Sequence, residues 1–252
     1  MTMMKVRPCL KIALVGLLAL GAGGPWTGTV AETPAPEPSP PTPATSPVLI
    51  LGDSMMRLPG MAMERELTRL TDVEVTVFSG IGTGLARLDV FDWLAKIDEL
   101  CARVHPKVAV IALGANDRQP MLCPGSATIV QPDTPEWLQE YAARVGQAMD
   151  RLLNGGCERV IWLLLPPMRD RSTDAFARQI NTILQTEAAK RGEIIAHDFS
   201  ALVADRRTGG YTDRIMDLKT AAAVQVRETD GIHLSPNGAR LLATDLIRTY
   251  WP

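Results

Sequence analysis

The chain predicts an α/β domain built on a parallel five-stranded sheet with helices on both faces. Short apolar, β-branched runs alternate with longer stretches of helical period from residue 48 to the end of the chain. The connections between runs are long enough for crossover helices, which parallel strands require. The first run, Val48-Leu-Ile-Leu-Gly52, stops abruptly at Asp53-Ser54, as a buried strand does when it delivers polar groups to its carboxyl end.

Each element follows in order. Residues 48–52 read as the first strand, 55–70 as a helix and 73–78 as the second strand, with a glycine-rich turn over 79–88. Residues 89–104 are helical, since Phe91, Leu94, Ile97 and Leu100 make an apolar stripe. The third strand is 108–113, ending at Gly114. A polar insertion over 118–134 carries Pro120, Pro124 and Pro132, and long loops at the carboxyl edge of a parallel sheet often shape a ligand site. A helix over 135–154 starts with Thr134 as cap and Pro135 in its first turn. The fourth strand, 159–165, is apolar enough to be central. A helix over 173–191, a fifth strand over 194–197, an irregular stretch over 204–227 and a closing helix over 236–250 complete the domain. The count fits a flavodoxin-like three-layer sandwich of strand order 2-1-3-4-5, in which ligands sit outside the carboxyl ends of strands one and three. Ser54 ends the first and Asn116 the third.

The segment before residue 48 reads differently. Residues 1–31 combine a basic start (Lys5, Arg7, Lys11), a short apolar core and small residues at a plausible cut, as in a secretory signal peptide. Residues 32–47 are Pro, Ala, Thr, Ser and Glu, a composition that makes a disordered linker. The expected product is a periplasmic or secreted monomer, with the linker leading into a domain over residues 48–252 and no stable membrane span after cleavage. A net charge of −2 over 252 residues gives no basis for nucleic-acid binding. No metal-ligand spacing, phosphate loop or dinucleotide fingerprint occurs, so no cofactor is expected.

Ser54 needs a base to act as a nucleophile, and the chain has three histidines. His105 precedes strand three, at the wrong end of the sheet, and His197 lies on strand five. His233 sits in Asp230-Gly-Ile-His233, just before the last helix and on the edge that carries Ser54. A carboxylate three residues earlier accepts from the imidazole while the ring faces Ser54; a helix-entry loop with incidental charges is the plainer alternative. The Ser54 N–H, the Asn116 amide and a glycine N–H from the 79–84 turn would make an oxyanion hole.

Gly52-Asp53-Ser54-Met55, the glycine turn, Gly114-Ala-Asn116-Asp117 and Asp230-Gly-Ile-His233 occur in the order of the four blocks of the SGNH (GDSL-like) hydrolases, which residues 48–252 resemble. The longer strings Thr83-Gly-Leu-Ala-Arg-Leu-Asp-Val-Phe-Asp-Trp93 and Gly114-Ala-Asn-Asp-Arg-Gln119 resemble an exported bacterial subgroup whose substrates are mostly unassigned. The resemblance implies Ser54 as nucleophile, His233 as base and Asp230 as its orienter. It also implies Ser54, Gly84 and Asn116 as oxyanion donors; Gly84 matches the subgroup's Thr-Gly-Leu, while Gly82 fits the strand-end position of other relatives. The implied activity is a serine ester hydrolase or acyl transferase acting on O-acylated envelope carbohydrate or another small ester. No Gly-x-Ser-x-Gly elbow is present, against an α/β-hydrolase.

Asp117, Arg118 and Gln119 adjoin the proposed hole and either bind substrate or tie down the insertion. Trp93, Trp137 and Trp162 are sugar-stacking candidates or core. Met55, Met56 and Met61 would line an acyl groove if the substrate were a lipid or thioester, or else belong to the core. A non-catalytic binding or assembly protein on the same fold is the reading from a different class. Of the four cysteines, Cys9 leaves with the signal, and Cys101 and Cys157 fall at the same edge of adjacent strands, where a disulfide is expected without Cys123.

Overall fold

The computed structural model describes residues 47–125, 127–217 and 221–252. The expected signal peptide and nearly all of the linker lie outside the described residues. In chain order the elements are β1 (Val48–Gly52), α1 (Ser54–Leu70), β2 (Val75–Ser79), α2 (Trp93–Val104), β3 (Val108–Ala112), β4 (Met121–Leu122), β5 (Ile129–Val130), α3 (Pro135–Asn154), β6 (Arg159–Leu163), α4 (Arg171–Ala188), β7 (Ile194–His197), α5 (Ser200–Val203), β8 (Arg214–Asp217), β9 (Ala222–Gln225) and α6 (Pro236–Tyr250).

Five strands form the main sheet in the order β2-β1-β3-β6-β7, all parallel. This is the expected order 2-1-3-4-5 once the two small hairpins are set aside. β1, β3 and β6 are buried along their whole length, which is why each reads as an unbroken apolar run. α1 packs on α6, while α2, α3 and α4 pack in series, giving the two helical layers. Helix starts are set by side-chain caps: Asp53, Asp92, Thr134, Asp170 and Ser235 each accept a backbone N–H from the first turn.

Two hairpins and one helix start depart from expectation. The insertion contains the β4–β5 hairpin, and the stretch taken as irregular over 204–227 contains the antiparallel β8–β9 pair. Both are short local hairpins whose pairing leaves little period-2 signal in sequence. α2 begins at Trp93 rather than near residue 89, because Asp92 caps it and Arg87 pairs with Asp89 in the turn before.

The expected Cys101–Cys157 disulfide is corrected. Both residues are buried and free, and each thiol acts on the other: the Cys101 pKa is lowered and that of Cys157 raised. The tryptophans and two of the methionines are also placed. Trp93, Trp137 and Trp162 are fully buried, so none is a sugar platform. Met55 and Met56 belong to the core, whereas Met61 is exposed.

Candidate functional site: a serine, an imidazole and a carboxylate in series

β1 and β3 run side by side with Gly52 opposite Ala112, and the Asp53 N–H donates to the Ala112 carbonyl at 3.0 Å. The chain segments leaving both strands therefore start from one point. Asp53 caps α1 by accepting from the Met55 N–H at 2.8 Å. Ser54 is thereby fixed as the first residue of the helix, where backbone N–H groups lack helical acceptors and the dipole is positive.

The turn before α6 meets this point from the other side. His233 Nε2 lies 2.8 Å from Ser54 Oγ, and His233 Nδ1 lies 2.6 Å from Asp230 Oδ2. The other Asp230 oxygen accepts the Ile232 and His233 N–H groups at 2.8 and 3.0 Å. Partial desolvation raises the Asp230 pKa. The imidazole, the two N–H groups and the charge of His233 outweigh it and hold the carboxyl at about 2. An ionised Asp230 has no proton to give, so Nδ1 carries the hydrogen and Nε2 presents its lone pair to the Ser54 hydroxyl. Proton removal from Ser54 requires that arrangement.

Asn116 donates from Nδ2 to the Thr83 carbonyl at 3.0 Å, which ties the β3 segment to the glycine turn. An amide nitrogen has two hydrogens, so this bond orients the group and leaves the second donor available. Gly84 is buried, and a Cβ there would collide with the Asp117 carboxylate. The glycine allows that close approach. Gly82 is exposed, with a φ of 73° and open space where a Cβ would stand.

Asp117 is corrected from a substrate contact to an internal clamp. It is only 1% exposed; its Oδ1 accepts from the Ala86 N–H at 2.8 Å and its Oδ2 from the Tyr141 hydroxyl at 2.7 Å. β3 ends just before it, and the chain turns the carboxylate inward under the glycine turn. Burial raises the Asp117 pKa against those donors. Arg144, also buried, donates to the carbonyls of Leu85, Ala86 and Leu122 and to Glu140. Arg118 forks onto Asp133 at 2.8 and 3.1 Å. The Gln119 amide donates to the Asn116 carbonyl at 2.7 Å, and its backbone carbonyl accepts from the Trp137 indole. Residues 117–119 thus fasten the insertion beneath Asn116.

His105 is exposed at the end of α2. His197 faces Asp245 and Tyr250, away from the serine, and desolvation lowers its pKa. Among the described residues no cluster of three or more His, Cys, Asp or Glu is arranged to hold a metal ion, and no helix is long and apolar enough to cross a membrane. The pattern of residues did not single out Tyr141, Arg144, Arg169 or Arg227. Tyr141 and Arg144 look in sequence like any polar residue of an amphipathic helix, and Arg169 and Arg227 like loop residues.

The fold is shared with known enzymes. The structure aligns with the psychrotrophic esterase EstA from a Pseudoalteromonas species, whose structure was determined with monoethylphosphonate as inhibitor. The TM-score is 0.53 at 12% identity, over 81% of this chain and 96% of that one. It also aligns with a gut microbial diltiazem-metabolizing enzyme at a TM-score of 0.53 and 15% identity, covering 86% of this chain and 49% of that one. No curated protein matches the sequence. Over residues 47–249 the chain matches the model of a family described as a protein of unknown function, DUF459, to which it therefore belongs.

Proposed function

We propose that the protein is an exported serine ester hydrolase or acyl transferase. The observation that carries this reading is the hydrogen-bonded series Ser54–His233–Asp230, with its acceptor nitrogen turned to the hydroxyl. In the proposed reaction His233 Nε2 takes the Ser54 proton as Oγ attacks an ester carbonyl. The resulting oxyanion is met by the Ser54 N–H, the Asn116 amide and the Gly84 N–H. His233 then returns the proton to the departing alcohol, leaving an acyl-enzyme. Water, or a second hydroxyl in a transferase, takes the acyl group by the same steps in reverse. The fold shared with an esterase supports the reading.

O-acylated envelope carbohydrate is the proposed substrate, on the strength of the expected export signal and the subgroup resemblance. A second reading, a longer acyl chain, rests on one observation. Leu58, Met61, Ala62, Pro236 and Ala239, with Glu64, Arg65 and Thr68 at the same opening, line a surface cavity of about 590 Å³ between α1 and α6, the helices that begin at Ser54 and just after His233. The test is labelling by a fluorophosphonate in wild-type and Ser54→Ala protein, followed by turnover of p-nitrophenyl acetate against the octanoate. Labelling that requires Ser54, with acetate preferred, supports the first reading. Octanoate preference supports the second, and no labelling removes both.

A further inference from the structure

Two arginines from outside the Asp230–His233 turn grip its backbone. Arg227 is fully buried, yet no carboxylate stands within ion-pair distance of it among the described residues. Burying a guanidinium without a direct counter-ion is costly unless its N–H groups find acceptors. Arg227 donates to the Pro167 carbonyl at 2.8 Å and to the Ile232 carbonyl at 2.7 Å, and it lies 5.0 Å from the centre of the Tyr211 ring. Arg169 lies 5.2 Å from the same ring. It donates to the Thr229 carbonyl at 2.7 Å, to the Tyr211 hydroxyl at 3.0 Å and to Asp213 at 2.6 Å, and its backbone N–H donates to the Gly231 carbonyl. Gly231 has a φ of 78°, and a Cβ there would strike the Arg169 side chain, so the turn is moulded onto that arginine.

The gripped atoms are specific ones. The Thr229 carbonyl belongs to the peptide that enters Asp230, and the Ile232 carbonyl to the peptide that enters His233. The His233 carbonyl is held in turn by the Glu228 N–H. With the Ile232 and His233 N–H groups bound to Asp230, both the donors and the acceptors around the pair are occupied.

We propose that Arg169 and Arg227, gathered on the ring of Tyr211, are positioning residues that set the angle at which the Asp230–His233 pair addresses Ser54. This rests on the esterase reading for its kinetic consequence, but not for its structural one. A general base displaced by an ångström loses about 10²-fold in rate while binding is unaffected. The buried guanidinium also lies where its charge favours an ionised Asp230.

The experiment uses the full chain as wild type, Arg227→Met, Arg227→Lys, Arg169→Met and Arg169→Lys, with folding checked by circular dichroism and thermal melting. Turnover of p-nitrophenyl acetate gives kcat and KM separately. Proton NMR follows the His233 Nδ1 hydrogen, whose strong bond to Asp230 places it far downfield, and this readout needs no turnover. In the folded Met variants kcat is expected to fall about 10–100-fold with KM within twofold, and the Nδ1 resonance to broaden or vanish. The Lys variants are expected to recover part of both, since one ammonium reaches one carbonyl. Should Arg227→Met fail to fold, the Arg169 variants carry the test, because that side chain is half-exposed. A folded Met variant with wild-type kcat and an intact resonance overturns the proposal. Wild-type protein that hydrolyses no ester removes the esterase reading instead, and the NMR signal alone then judges the arginines.

Discussion

Two aspartates flank Ser54, and they are opposites. Asp53 precedes it in the chain and is fully buried; Asp230 arrives from nearly the other end and is partly open to solvent. Burial pushes the Asp53 carboxyl up to about 7. The Met55 N–H opposes the rise, nearby Asp117 adds to it, and the Gly114 and Ala115 N–H groups pull back weakly. Asp53 Oδ2 makes no hydrogen bond that meets normal geometry. Asp230 goes the other way, to about 2, because its two oxygens share three good donors. Adjacency in sequence to the proposed nucleophile is therefore no guide to chemistry. The neighbour in the chain is a fastener between β1 and α1, and the distant carboxylate is the one equipped to orient an imidazole.

The sharpest way to break the comparison is to remove the group both aspartates serve. Ser54→Ala is expected to lower kcat on p-nitrophenyl acetate by up to ~10⁶-fold with an unchanged melting temperature. Retention of more than a tenth of the activity would take Ser54 out of the mechanism. The next largest effect separates the aspartates directly. Asp230→Asn keeps the shape but donates where the carboxylate accepted, so the wrong imidazole tautomer faces Ser54, and kcat is expected to fall ~10⁴-fold. Equal losses for Asp53→Asn and Asp230→Asn, measured on folded proteins, would erase the distinction between fastener and orienter.

Asn116 tests the third segment. Its amide is held by the Thr83 carbonyl with one hydrogen to spare, so Asn116→Ala is expected to cost about 10²–10³ in kcat, the usual price of one oxyanion donor. Asn116→Asp should be no better, because a carboxylate has no hydrogen to donate and repels the developing charge. If KM rises while kcat holds, the residue binds substrate rather than the transition state.

Much of this site was readable in sequence because its parts sit where the chain is most constrained. Strand β1 is wholly buried, so its apolar run ends where the strand ends, and the next polar residues must lie at the sheet edge. Helices α3 and α6 are bounded as expected at Pro135–Asn154 and Pro236–Tyr250, since Thr134-Pro135 and Ser235-Pro236 pair a cap with a proline that fits only the first turn. The inward fate of Asp117 was not readable. Next to Asn116 it looks like a site residue, and only the tertiary approach of Gly84 and Tyr141 shows where its oxygens go. The arginines around Tyr211 were hidden for the same reason. The acceptors they take from the Asp230–His233 turn are backbone carbonyls, which leave no mark on residue identity.

The last predicted effect is on stability, and here the two aspartates have opposite signs. Asp53 has a folded pKa above its ordinary 3.8, so between pH 4 and about 7 the unfolded chain releases a proton that the folded protein keeps. Its contribution therefore weakens as pH rises through that window, by at most ~4 kcal/mol at ~1.4 kcal/mol per pH unit. Asp230 has a depressed pKa, so its contribution is present above its ordinary 3.8 and is lost only as pH falls towards 2. Urea unfolding of wild type and Asp53→Asn from pH 4 to 7.5 isolates the first effect, because other groups cancel in the difference. The amide mimics the protonated acid and does not titrate, so the variant should gain on the wild type steadily as pH rises. A difference that stays flat across that range would mean that Asp53 ionises in the fold as readily as in water, and that the buried fastener is charged like its exposed counterpart.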